Sequence, residues 1–194
     1  MVFDPEHVQH AEVAKPDWSE FYRDTIVEVP PDAPEPRGKP VQITGFVDSD
    51  HTGDKVTQKS RSGILVHANK APIIWLSKKQ GSIETSSFGS EFTAMKLGVE
   101  IIEGLQYKLI MMGCPLDGPA HIKADNMSMI KNSSQPESTL NKKSNSIAFH
   151  YVREHAASGL IIVSHEPTKS NLADLLTKMQ SGPERQRLVR FILY

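Results

Sequence analysis

Three apolar runs follow one another within some forty residues, and only a fold built on a sheet accommodates them. VQITGFVDSD (41–50), SGILVHA (62–68) and PIIWLSK (72–78) each read as a buried strand, with ANKA as the hairpin loop between Ala68 and Pro72. Next comes SSFGSEFTAMKLGVEIIEGLQYKLIMMG (86–113), whose residues 91, 94, 95, 98, 102, 105 and 109 share one face at helical spacing. Ser86 or Ser87 is placed to cap the start of this helix and Gly113 its end. GPAHIKAD (118–125) then reads as a short strand, NMSMIKN (126–132) as a short helix, and SNSIAFHYVREHAAS (144–158) as a helix stopped by Gly159. LIIVSH (160–165) is a fifth strand, TKSNLADLLTKM (168–179) a helix capped by Thr168, and SGPERQRLVRFIL (181–193) a last, basic amphipathic helix. The order is β-β-β-α-β-α-α-β-α followed by the basic helix. It predicts an α/β fold, with a five-stranded mixed sheet flanked by helices.

The first 40 residues are different in kind. They hold seven of the 13 prolines and nine acids against four bases, a charge of −5. VPPDAPEPRGKP (29–40) cannot join a sheet or helix interior and reads as an extended linker. Before it, DWSEFYRD (17–24) is expected to form a short helix that docks through Trp18, Phe21 and Tyr22. Residues 41–194 carry 18 bases and 14 acids, so the whole-chain charge of −1 hides a basic domain. No stretch approaches eighteen apolar residues, which excludes a membrane-spanning helix. MVFDPEHVQH has neither the cationic start nor the apolar centre of a secretory signal. One cysteine, Cys114, excludes an intrachain disulfide framework and a cysteine-cluster zinc site.

Four carboxylates occupy telling positions. Asp48 ends the strand ITGFVD, and Asp125 ends HIKAD. Ligand sites of open α/β sheets gather at such strand ends. Glu91 lies on the helix face that also carries Ala94, Met95 and Ile102, which points it toward the sheet. Asp174 lies in NLADLLTK, near the start of a helix. Singly, each acid has an ordinary alternative, a turn, a cap or a solvated surface. Together, in the order strand, helix, strand, helix, they read as one set of hard oxygen ligands for Mg²⁺ or Mn²⁺. Two such ions about 4 Å apart align and stabilise both oxygens of an in-line phosphoryl displacement.

These residues carry a resemblance. VDSDHTGDKVTQKSRSGILV, APIIWLSKKQGSIETSSFGSEFTAM, IKADNMSMIKN, FHYVREH and NLADLLTK together resemble the ribonuclease H domain at the end of copia-type LTR retrotransposon Pol polyproteins, from about residue 44 to 180. The resemblance implies a ribonuclease H-like fold over 41–180. It makes 1–40 the connection that follows a reverse transcriptase absent from this chain, and 181–194 a terminal basic helix. It assigns Asp48, Glu91, Asp125 and Asp174 as catalytic ligands of two Mg²⁺ ions. Many relatives carry a second Glu two residues before the helix Glu; Gly89 stands there in this chain, so Glu91 is the sole candidate. The family's mobile loop histidine, which assists product release or proton transfer, falls on His165, with an exposed loop histidine as the ordinary alternative. His150 matches a frequent family histidine and reads as a packing or solvent-edge residue; another family histidine is replaced by Ser144.

Lesser candidates surround these. Ser62, Ser87 and Asn126 are placed to hydrogen-bond a nucleic-acid backbone or a 2′-hydroxyl, although Ser87 could simply cap its helix. Lys55, Lys59, Arg61, Lys78 and Lys79 are candidates for phosphate contacts or for a plain solvated surface. Trp75 reads as core, and Asp50 and Asp54 as turn residues standing in reserve for Asp48. Arg185, Arg187 and Arg190 lie on a helix expected to dock on the polyprotein or touch substrate. The resulting expectation is a metal-dependent endonuclease that cuts the RNA strand of RNA–DNA hybrids. It would work with the reverse transcriptase portion of the same polyprotein, inside the cell (cytoplasm, nucleus or virus-like particle) and without a membrane. The rivals are a catalytically silent module that binds nucleic acid or a partner, and a different nuclease of the same fold.

Overall fold

The computed structural model describes residues 16–140 and 145–193. Ser144 and the first 15 residues of the acidic segment lie outside that range. β1 (Ile43–Asp50), β2 (Arg61–Ala68) and β3 (Ala71–Lys79) form an antiparallel meander. The β2–β3 hairpin turns on two residues, with Asn69 at a φ of 54°, as a tight hairpin requires. β4 (Ala120–Ala124) joins β1 in parallel and β5 (Ile161–His165) joins β4 in parallel, so the order is β3-β2-β1-β4-β5. Parallel neighbours need long crossovers. α1 (Ser87–Met111) supplies the first, and α2 (Met127–Ser134) with α3 (Ser146–Ala157) the second. Ser86 caps α1, accepting from the Gly89 amide, and Gly113 ends it at a φ of 71°.

Alternation in the strands builds two cores. Val47, Ile64 and Leu76 stand opposite one another and point to the α1 side, where Phe92, Met95, Val99 and Ile102 cover them. Phe46 and Leu65 point the other way, onto Leu172, Ala173 and Leu188. Leu188 belongs to α5 (Gly182–Leu193), and Phe191 and Ile192 pack beside it. Burying a leucine contributes about 1.5–3 kcal/mol, enough to hold α5 on its own sheet. The basic helix therefore packs through Leu188 on this domain.

Other expectations change with the packing. Residues 17–24 form turns, not a helix, held by the Phe21 and Tyr22 amides donating to the Trp18 carbonyl. The segment does dock. Trp18 is buried against the Arg153 guanidinium, and the Tyr22 hydroxyl meets His150 Nδ1 at 2.8 Å. Arg153 is itself buried and donates to the carbonyls of Asn132, Gln135 and Pro136, so it ties the α2–α3 connection to the N-terminal segment. The helix expected over 168–179 shrinks to one turn, α4 (Asp174–Thr177), preceded by tight turns. Thr168 is not its cap. Trp75 is not core: it sits on β3 at the sheet edge, beyond the cover of α4 and α5, and is 67% exposed.

Candidate active site

Two strands and two helices bring the acids together. β1 and β4 are parallel neighbours, so the C-terminal end of one lies beside that of the other. Asp48 emerges from β1 fully buried, and Asp125 follows the last residue of β4. α4 lays Asp174 over this end of the sheet. It can do so because Asp48 pairs with Gly63: a Cβ there would lie 2.6 Å from Thr177 Cγ2 and 2.8 Å from the Ala173 carbonyl oxygen. The carboxylates of Asp48, Asp125 and Asp174 each offer an oxygen, all within 4.8 Å of one another.

Each of the three has a holder. The Thr177 hydroxyl donates to Asp48 Oδ2, and the Thr168 hydroxyl donates to Asp125 Oδ2 at 2.8 Å. Lys178 Nζ donates to Asp48 Oδ1 at 3.1 Å and to Asp174 Oδ1 at 3.0 Å. Glu91 comes in from α1, 7% exposed, with Oε2 buried and without a hydrogen-bond partner. Burial, reinforced by the charges of Asp48 and Asp125, pushes its pKa up to about 8, against the pull of Lys178 and Ser49. Burial and Asp48 likewise push Asp174 up to about 6. Burial works against the charge on Lys178, but Asp48 and Asp174 beside it raise its pKa. The pocket is therefore short of positive charge. An all-oxygen donor set with one buried, unpartnered carboxylate oxygen fits a hard divalent cation.

The remaining candidates fall in different places. His165 is the last residue of β5, not a loop residue; it is exposed and pairs in register with Ala124, immediately before Asp125. Asn126 caps α2 by accepting from the Met129 amide. Ser87 is exposed in the first turn of α1. Ser62 is buried, 1% exposed, and accepts from Gln80 Nε2 at 2.9 Å. Asp54 serves its turn, accepting from the Val56 and Thr57 amides and pairing with Lys79.

No protein-family model matches the chain. It is 30% identical over 142 residues to the retrovirus-related Pol polyprotein from transposon RE1 of Arabidopsis thaliana, and 28% identical over 156 residues to that from transposon RE2. These alignments cover 73% and 80% of this chain. Among solved structures, LC11-RNase H1 in complex with an RNA/DNA hybrid superposes with a TM-score of 0.56 at 16% identity, over 70% of this chain and 94% of that one. RNase H1 from the halophilic archaeon Halobacterium salinarum NRC-1 gives 0.55 at 13% identity, over 75% and 98%. The chain is similar to one stretch of retrovirus-related Pol polyproteins from transposons and has the ribonuclease H fold. It spans about a tenth of the length of the Pol relatives it matches.

Within this ribonuclease H fold, Thr177, Lys178 and Gly63 escaped the sequence reading. Lys178 is four residues after Asp174, the spacing that lets helical side chains meet, so a signal was present. Gly63 left only the weaker trace of a glycine inside an apolar strand, where a close approach of backbone is the usual reason.

Proposed function

We propose that this domain is a metal-dependent endonuclease that hydrolyses the RNA strand of RNA–DNA hybrids during retrotransposon reverse transcription. The observation that carries the reading is the convergence of Asp48, Asp125 and Asp174 within 4.8 Å on a ribonuclease H fold. These three and Glu91 would hold two divalent cations, Mg²⁺ or Mn²⁺. Such ions, when bound, supply the Lewis acidity that an in-line phosphodiester hydrolysis needs. The chain's own residues do the rest. Thr168 and Thr177 hold Asp125 and Asp48 in place, so the carboxylates are oriented in advance. His165, exposed at the end of β5 and in register with Ala124, is open to solvent and would carry a proton to or from the leaving strand. Ser87 and Asn126 flank the acids and would meet the RNA backbone, whose 2′-hydroxyls are displayed in a wide, shallow minor groove. The reverse transcriptase portion of the same polyprotein would deliver the hybrid.

One observation favours the rival reading, a module that binds nucleic acid without cutting: Lys178 already offsets two of the acids. A cleavage assay separates the two. With Mg²⁺ the chain is expected to cut a labelled hybrid and leave 3′-hydroxyl and 5′-phosphate ends. Asp125→Asn is expected to lose at least ~100-fold in rate, since a cation site supplies several kcal/mol. If both proteins leave the hybrid equally intact, the nuclease reading fails and the binding module stands.

A further inference from the structure

The sheet carries an exposed aromatic that the fold does not use. Phe46, Leu65 and Trp75 stand opposite one another on successive strands, and so do Asp48, Gly63 and Ser77. Opposed residues share a face, so Trp75 looks out on the same face as Asp48, one row back and two strands over. Strand spacing and rise put their Cα atoms about 12 Å apart, less than the width of a duplex. Phe46 and Leu65 are covered by Leu172, Ala173 and Leu188; the row runs out at Trp75, 67% exposed, with Ile73 beside it 39% exposed.

The surroundings are basic. Arg61 and Lys79, opposed on β2 and β3, are exposed on that same face, and the Arg61 guanidinium rests on Ser77 Oγ at 3.2 Å. Asp54, the acid at this end, is already bound by Lys79. A flat ring flanked by cations, continuous with an acidic site that would work on phosphodiesters, matches the chemistry of a nucleic-acid strand. Aromatic faces stack on bases whatever the sequence, while cations follow the backbone. In a duplex the base faces are already stacked on their neighbours. An unpaired stretch offers them freely.

Building on the nuclease reading, we propose that Trp75, with Arg61, is a platform for the single-stranded part of a nucleic acid whose duplex part lies at the acids. The platform would hold a hybrid by its tail, so it favours substrates with a single-stranded extension over blunt ones. Stacking of one base on such a ring is expected to tighten binding about tenfold.

The experiment uses the full chain carrying Asp125→Asn, so that bound hybrid survives. Blunt hybrid, hybrid with a short single-stranded DNA tail, and the tail oligonucleotide alone are titrated while tryptophan emission is followed. The chain has two tryptophans and Trp18 is 8% exposed, so a change on binding reports Trp75. The tailed hybrid is expected to bind about tenfold tighter than the blunt one and to quench the emission. Trp75→Ala should remove that advantage without lowering the melting temperature, and Trp75→Phe should restore part of it. Equal affinities for tailed and blunt hybrid in the parent overturn the platform. So does a Trp75→Ala variant that keeps the full advantage, or one that changes only the association of chains with one another through the exposed β3 edge. The outcomes for the two readings separate cleanly. Tail binding lost in Trp75→Ala, in a chain that with Asp125 restored cuts nothing, keeps the platform and removes the nuclease. Cleavage retained with no tail preference does the reverse.

Discussion

Lys178 gives the most direct test of how the acid pocket is balanced. Its ammonium lies 3.1 Å from Asp48 and 3.0 Å from Asp174, where both carboxylates are almost wholly buried. At an effective dielectric near 20, one such pair is worth about 5 kcal/mol before desolvation. Lys178 is itself 35% exposed, so screening and desolvation reduce the joint contribution to about 1–3 kcal/mol. Lys178→Met keeps the length of the side chain and removes the charge. Without divalent metal at neutral pH, the variant is expected to be less stable than the parent by that 1–3 kcal/mol, read from urea unfolding. Ammonium and divalent cation serve the same carboxylates, so they compete. Metal at a hundred times its Kd stabilises a folded protein by about 2.7 kcal/mol, and the tighter site of the variant should raise its gain above the parent's. The two effects must appear together. A variant as stable as the parent in chelator, or one that gains no more from Mg²⁺ than the parent does, refutes the view that Lys178 is the pocket's resident cation.

Two further tests follow from the same geometry. Gly63→Ala should drive α4 off the sheet, because the new methyl group would meet Thr177 and the Ala173 carbonyl; a loss of about 1–3 kcal/mol in stability and of metal-induced stabilisation is expected, while a variant with unchanged unfolding and metal response contradicts the close approach. The metal-free protein should also lose stability as pH rises. Glu91 is raised to about 8 and Asp174 to about 6, so between the ordinary carboxylate range and pH 8 the folded state holds protons that the unfolded chain has released. The stabilisation is complete below about pH 4 and is lost as pH passes through 6 and then 8, a change of about 5 kcal/mol for Glu91. Glu91→Gln should flatten the upper part of that slope in unfolding curves from pH 5 to 9; a slope unchanged by the substitution would assign it to other groups.

The sequence by itself determined the elements that depend on local pattern. Alternation and apolar runs placed all five strands, and helical spacing placed α1 with Glu91 turned inward, because a residue's face follows from its period along the chain. The positions of Asp48 and Asp125 at strand ends were legible for the same reason. What surrounds those residues was not. Asp48 is held by Thr177 and Lys178, about 130 residues further along the chain. The first half of the helix expected over 168–179 gave way to turns, whose Thr168 hydroxyl clasps Asp125 where a helix cap had been expected. Trp75 has the alternation of a core residue and lacks only a cover, and covers come from distant segments. Period along a chain decides which way a side chain points. Whether it finds a carboxylate, an ammonium, a leucine or water there is decided by segments remote in sequence, and only the tertiary structure brings them together.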